Sequence, residues 1–449
     1  MLSFGIFLLA CFSLSFNLIR LYGVSIPDSL FIAAFVSVIF HEGIIKKQPV
    51  RIWFPPHPFV FPAFLILFGG LISSINAVSI TSSISITIKE FYLFAIFTPL
   101  VIFMARKGNP EWIVTALIAS GLMTSFAGLY DFSVGYKFTN EMLMNLGSVP
   151  LKDSWDRYSG LLGHPNEQAM FLSVVFPLAF SRFLNSFNKR LLDTVFQFFI
   201  IVILLLALFL TGSVSGYISV MISSVICFLL FFHTAVKTDE FFRNVASRFL
   251  MGLFLLTVLL MAAFNSNAGN RFIQSELIQQ SPVSEFITAS FDRVVTTTAA
   301  SRWEDYLLGL NYIASDPLIG AGMDQSGTGT FDTNQMVTYL AIHNTILQSW
   351  VAGGLLTFFG TVIIYFHVIS ISLRSLAEAF STRTYSIIVG LSASSLGFVI
   401  IDMTSSNIYQ RIKWLVFAFL MGLILIEKRR TNSSSAEKGL NKIYDRFSE

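Results

Sequence analysis

Apolar runs of about 18 to 20 residues recur from one end of this chain to the other, and each is long enough to cross a hydrocarbon core of roughly 30 Å as a helix. The pattern predicts spans near residues 2–19, 26–41, 58–77, 87–105, 111–131, 166–181, 193–211, 214–233, 249–265, 345–369, 385–404 and 412–427, about twelve in all. The fold class that follows is all-α, a polytopic transmembrane helical bundle. The first run, Leu2 to Ile19, has no basic segment ahead of it and no small-residue cleavage site, and another span follows closely, so it reads as a retained helix. The second span is irregular in holding Pro27 and Asp28, and the seventh and eighth are joined by a tight turn, Thr211 to Ser215.

The polar positions between the runs set an orientation. With the N-terminus inside, the cytoplasmic segments collect Lys46, Lys47, Arg51, Arg106, Lys107, Arg182, Lys189, Arg190, Lys237, Arg243 and Arg248, and most of the 29 Lys and Arg fall on that side. Both termini then face the cytoplasm, with residues 428–449 as a tail, and residues 1–449 form a single membrane domain. Two substantial loops remain outside, residues 132–165 and 266–342.

The second loop is large and partly helical. It holds Arg271, Arg293 and Arg302, no lysine, and acids that include Glu304, Asp305, Asp316 and Asp324. Ser301-Arg302-Trp303-Glu304 fits a capping box, and Trp303, Tyr306, Leu307, Leu310 and Ile313 follow at helical spacing. Asp316-Pro317 predicts the helix end and Gly320-Ala321-Gly322 a turn. The expected element is an amphipathic helix on the outer membrane surface or against the bundle. With Ser301 as N-cap, Arg302 stands in the first turn, where the macrodipole disfavours a cation by about 0.3–1 kcal/mol. That placement points either to a bound anion such as a phosphate, or to a salt bridge with Asp305 or another acid of the loop.

His343 stands where the long loop re-enters the membrane. Its imidazole suits a general base, because the unperturbed pKa of about 6.5 leaves the ring largely neutral at external pH. The plainer reading is an interfacial hydrogen-bonder. Asn344 beside it suits either a sugar hydroxyl or a helix cap. In the first external loop, Arg157 reads as a phosphate or sugar ligand or as a solvated interfacial cation, and His164 before Pro165 as a turn residue.

Composition narrows the field. Charged residues are 12% of the chain against about 25% in an ordinary soluble domain, so no soluble catalytic domain of ordinary size is left over. The two cysteines, Cys11 and Cys227, fall within apolar runs and read as small hydrophobes. There is no H-E-x-x-H, G-x-S-x-G, P-loop or zinc-spaced Cys/His cluster. A metal-independent site with no cofactor and no nucleic-acid partner is expected. Lys89, Glu90, Asp402, Arg411 and Lys413 lie near predicted external span ends, where they either snorkel or line a polar cavity beneath the loop.

Together these stretches resemble the O-antigen ligase and polymerase family of bacterial envelope enzymes. The resemblance is carried by Arg157-Tyr158-Ser159-Gly160 with His164-Pro165-Asn166, by Ser301-Arg302-Trp303 followed by Asp316-Pro317 and Gly320-Ala321-Gly322, and by His343-Asn344 leading into Gly353-Gly354. It implies a multi-span glycosyltransferase of the inner membrane. Such an enzyme takes a glycan from undecaprenyl diphosphate at the outer face and moves it to an acceptor hydroxyl, on the lipid A core in a ligase or on another lipid-linked glycan in a polymerase. By the same resemblance Arg302 contacts the diphosphate and His343 activates the acceptor, with Arg157, His164, Asn166, Asn344 and Arg411 as substrate-binding candidates. One departure stands out: the family often has Ser-Arg-Gly where this chain has Ser213-Val214-Ser215, so that Val214 occupies the arginine position. Either Arg157 or Arg411 supplies that charge, or the donor is held differently. The competing readings are a lipid-linked glycan flippase or other polysaccharide transporter, and a membrane scaffold without catalysis.

Overall fold

The computed structural model describes residues 2–16, 20–21, 24–47, 58–134, 157–186, 190–236, 298–325, 342–377, 382–405 and 410–426. Within them the chain is almost entirely helical. In order it forms α1 (Leu2–Phe12), a two-stranded hairpin of β1 (Arg20–Leu21) and β2 (Val24–Ser25), α2 (Ile26–Val38) and α3 (Val60–Ser73). Next come α4 (Ile80–Tyr92), α5 (Thr98–Lys107), α6 (Pro110–Val134), α7 (Pro165–Ser186), α8 (Leu191–Leu210) and α9 (Val214–Val236). After these stand α10 (Thr298–Ser315), α11 (Thr345–Ala377), α12 (Thr382–Asp402) and α13 over residues 411–426.

Among the described residues eight helical segments are long and apolar enough to cross a membrane, and Leu2–Phe16 and Val60–Ser73 are shorter apolar helices. These features are those of a polytopic helical membrane protein. The expected span over 249–265, residues 266–297 and 326–341 of the second external loop, residues 135–156 of the first and the tail 428–449 lie outside the described residues. The start of the fourth span differs from expectation because polar residues hid its continuity. The span expected at 87 begins at Ile80, since Ser82, Ser83 and Thr87 are tolerated in a helix that continues through a wide-turn segment, Leu93–Phe97, into α5. The irregular second span is a helix after all: Ser25 caps it by accepting from the Asp28 amide, and Pro27 sits in its first turn, where no donor is lost.

The core lies between α7, α9 and α12 on one side and α3 and α11 on the other, with α1 and α2 packed beside α6. Small residues permit close approach of helices that have no hydrophobic drive to associate within lipid. A Cβ on Gly360 of α11 would stand 2.7 Å from both the Pro62 carbonyl oxygen and Ile66 of α3. Large apolar side chains face outward instead, among them Phe61, Phe64 and Phe68 on α3 and Phe196 and Phe199 on α8. This inversion suits a hydrocarbon surround.

α11 is broken. Gly354 has φ 67° and ψ −165°, which only glycine adopts readily, and the break releases backbone groups on both sides. The strap that follows α10 fills it. The amides of Ala321 and Gly322 donate to the carbonyls of Val351 (2.7 Å) and Ala352 (2.9 Å), and the Leu355 amide donates to Leu318 O at 3.2 Å. The two short glycine motifs noted in the sequence, Gly320-Ala321-Gly322 and Gly353-Gly354, are therefore two halves of one joint. Asn76 holds the strap from the α3–α4 turn, donating to Asp316 at 2.7 Å and to Gly320 O at 3.2 Å.

Candidate functional site

α10 starts at Thr298, three residues ahead of Ser301, so Ser301 is not its N-cap. Arg302 accordingly stands beyond the first turn, where the macrodipole has faded, and the strain argument for an anion at Arg302 falls away. The helix ends at Ser315, as Asp316-Pro317 predicts. Its faces also differ from the expected stripe. Ile313 is buried in a small cluster with Ala321, Ile342 and Val351, with Tyr306 packed at its margin, and Gly309 lies against Ile342. Trp303, Leu307 and Leu310 are exposed. The helix thus grips the bundle through Tyr306, Gly309 and Ile313 and turns its other apolar side chains away.

Below α10 lies the turn Ile342-His343-Asn344. Asn344 caps α11, its Oδ1 accepting from the amides of Ile346 and Leu347, both at 3.0 Å, while its Nδ2 donates to Met403 O at 3.2 Å. Of the two roles open to Asn344, capping is the one the geometry displays. The Tyr306 hydroxyl donates to Met403 O at 3.1 Å and approaches His343 O at 3.4 Å. The backbone around His343 is therefore tied to α10 and to the end of α12. The imidazole is not enclosed: 42% of its side chain is exposed, and its Nε2 lies 3.9 Å from Asp305 Oδ2. Arg302 stands on the same helix one turn before Asp305 and Tyr306; its side chain lies outside the described residues.

The Arg157 region is built differently. Arg157 is only 8% exposed. Its Nε donates to Thr211 O, its Nη2 donates to Asn166 Oδ1 at 2.7 Å, and the Tyr158 amide donates to Leu210 O at 3.1 Å. Gly212 makes room for it, with φ 57° and a Cβ position 3.3 Å from Arg157 Nε. His164 Nδ1 accepts from the Asn166 amide at 3.1 Å, which places any ring proton on Nε2. Burial, and then the Arg157 charge, push His164 down to about 4, so its ring is neutral at ordinary pH. Arg157 thus sits beside the first turns of both α7 and α9, against the turn Thr211-Gly212-Ser213 that precedes Val214. Arg411 is placed elsewhere, its Nε 2.6 Å from Asp28 Oδ1 at the start of α2. Of the sequence-predicted residues, the structure brings Arg157, His164 and Asn166 together and His343 and Asn344 together, and it ties Arg411 to Asp28.

Beneath the His343 turn is a small, mainly apolar cavity, and of the five span-end charges only Glu90 and Lys413 line it. Glu90, Thr345, Tyr365 and Lys413 line it with Ile66, Thr361, Ile364 and Trp414. Sequence reasoning missed Tyr306 as a hydroxyl donor, Asp305 as the neighbour of His343, and Tyr365. Spacing on α10 shows Asp305 and Tyr306 as one helical turn from Arg302, but nothing local shows what they face. Among the described residues no group of three or more His, Cys, Asp or Glu side chains gathers as metal ligands would.

Residues 199–362 match the family model described as O-antigen ligase. That segment holds the Thr211–Ser215 turn, Arg302, the strap, His343 and the Gly353-Gly354 break. The match supports an O-antigen ligase-like family and, with it, a polysaccharide-related glycosyltransferase-like function. No curated protein matches the chain.

Proposed function

We propose that this chain is a twelve-span glycosyltransferase that moves a glycan from undecaprenyl diphosphate to an acceptor sugar hydroxyl at the outer face of the inner membrane. Its active site is on the periplasmic side, and both termini are cytoplasmic. The observation that carries the reading is the half-exposed His343 beside Asp305, on a turn fixed from three sides, inside the segment that matches the O-antigen ligase family.

The chemistry follows from the groups present. Asp305 stands 3.9 Å from His343 Nε2, and the imidazole accepts the proton of the acceptor hydroxyl. The acceptor oxygen forms the new bond to the anomeric carbon, the bond from that carbon to the carrier oxygen breaks, and the diphosphate leaves with the electron pair. The anomeric configuration inverts. The imidazolium produced is stabilised by the Asp305 carboxylate. Diphosphate charge is met by Arg302 and by Arg157 with the first turns of α7 and α9, where backbone amides and a guanidinium fork both suit phosphate oxygens. Asn166 and the neutral His164 hold the Arg157 fork in place.

A broken helix is also a feature of transporters, whose unwound segments bind cargo. Here the freed carbonyls of Val351 and Ala352 are taken by strap amides, which favours an enzyme over a flippase. Purified protein supplied with undecaprenyl-diphosphate-linked glycan separates the two: a transferred glycan product is expected, and movement of the carrier across the bilayer without product would refute the proposal. Deletion followed by glycolipid analysis then resolves the acceptor. A ligase defect leaves long polymer on the carrier and none on the core, whereas a polymerase defect leaves single repeats on the core.

A further inference from the structure

The buried ionisable groups of the membrane layer take no part in the transfer chemistry above, yet they converge on one point. Asp402, the last residue of α12, is fully buried. Its Oδ2 lies 3.1 Å from Lys413 Nζ and also accepts the Tyr365 hydroxyl. Glu90, 1% exposed, shares with Lys413, Tyr365 and Thr345 the lining of the cavity beneath the His343 turn. Its Oε1 has no hydrogen-bond partner among the described residues. Charges in an apolar layer are costly, and a buried ion pair is weak evidence of net stabilisation. A role in fixing geometry accounts for them better.

The contacts show which geometry. Directly after Asp402 comes the turn that holds the candidate catalytic segment. Met403 O accepts from the Tyr306 hydroxyl and from Asn344 Nδ2, and Ser405 O accepts from Thr345 Oγ1 at 2.8 Å. We infer that Lys413 is a positioning residue: its ammonium, set against Asp402 and the cavity that Glu90 lines, pins the end of α12 so that the Met403–Ser405 turn holds Tyr306 and the His343-Asn344 turn in register. The inference rests on the reading of His343 as the general base.

The test uses the full-length purified protein with undecaprenyl-diphosphate-linked glycan as donor. Lys413→Met is expected to lower kcat by roughly 10- to 100-fold, the scale of a misplaced catalytic group, with donor KM within about two-fold. Lys413→Arg restores most of the rate, and adding Tyr306→Phe to Lys413→Met costs nothing further, because both act through Met403. Where Lys413→Met fails to insert, the neutral pair Asp402→Asn with Lys413→Met carries the test. Wild-type kcat in either variant, a loss confined to KM, or additive effects with Tyr306→Phe would overturn the inference. If the wild-type protein transfers no glycan, it is the transfer reading that fails, and hydrogen exchange then decides this one. Faster exchange of the Ile346 and Leu347 amides in Lys413→Met, but not in a Lys46→Met control, supports it; unchanged exchange overturns it.

Discussion

Two polar regions at the same end of the bundle contrast in how they spend their hydrogen bonds. Arg157 is buried and commits its guanidinium to Thr211 O and Asn166, with a neutral His164 bracing Asn166. His343 is fixed through its backbone by Tyr306 and Asn344, while its ring is half exposed beside Asp305. A rigid cation suits a ligand whose charge must be met without reorganisation. An imidazole with a fixed backbone and an open ring suits proton transfer with a group that arrives from outside. In the proposed reaction the first region holds the donor and the second does chemistry on the acceptor.

The largest effect expected from this contrast is at His343. His343→Ala should lower kcat by about 10²–10⁴, the usual worth of a general base, with folding and donor KM little changed; kinetics together with a melting curve in detergent would check both. Arg157→Ala should cost about 10²–10³ in kcat/KM, as for a lost oxyanion donor, and should also lower Tm, since it leaves Asn166 and the Thr211 carbonyl unsatisfied in a buried place. Arg157→Lys should not restore the rate, because an ammonium cannot reproduce the planar fork. If Arg157→Ala instead left Tm unchanged, the distinction between a rigid and an open region would collapse.

Smaller effects sharpen the contrast. Asp305→Asn should lower kcat by about ten-fold, the scale of about 1.4 kcal/mol, and shift the acidic limb of the pH–rate profile, while Arg157-dependent donor binding stays the same. Gly354→Ala places a Cβ at φ 67° against Leu318 O and Ile319, and should destabilise the strap joint by at least about 1–2 kcal/mol. Its faster hydrogen exchange should appear at residues 318–322 and 351–355 and spare residues 157–166. A pH dependence at His164 belongs to the buried region alone. Its folded pKa is lowered to about 4 from 6.5, so between those values the unfolded chain binds more protons and stability falls as pH falls through that window. Tm should therefore drop more steeply from pH 6.5 to 4 in the wild type than in His164→Gln.

Much of this was legible in the sequence. The apolar runs marked where the spanning helices of the described residues lie, since length and hydropathy are local properties, though not every helix end. The end of α10 at Asp316-Pro317 could likewise be anticipated from residue types. Ser301 as a cap could not be trusted, because a capping-box pattern inside a longer helix is sequence-identical to one at its start. The partnership of Gly320-Ala321-Gly322 with Gly353-Gly354 joins segments distant in the chain, and so do Tyr306 with Met403, Arg157 with Thr211 and Arg411 with Asp28. Those pairings depend on tertiary packing, which no local periodicity encodes. The choice between Arg157 and Arg411 as the charge beside Val214 was of that kind, and contact geometry favours Arg157.

The central claim is that His343 and Arg302 carry out glycan transfer from a diphosphate carrier. Purified wild-type, His343→Ala and Arg302→Ala proteins, reconstituted in liposomes with undecaprenyl-diphosphate-linked glycan and a glycan acceptor, test it most directly. Product from the wild type and at least a hundred-fold less from each correctly inserted variant is the predicted result. Transfer at the wild-type rate by either variant would contradict the account.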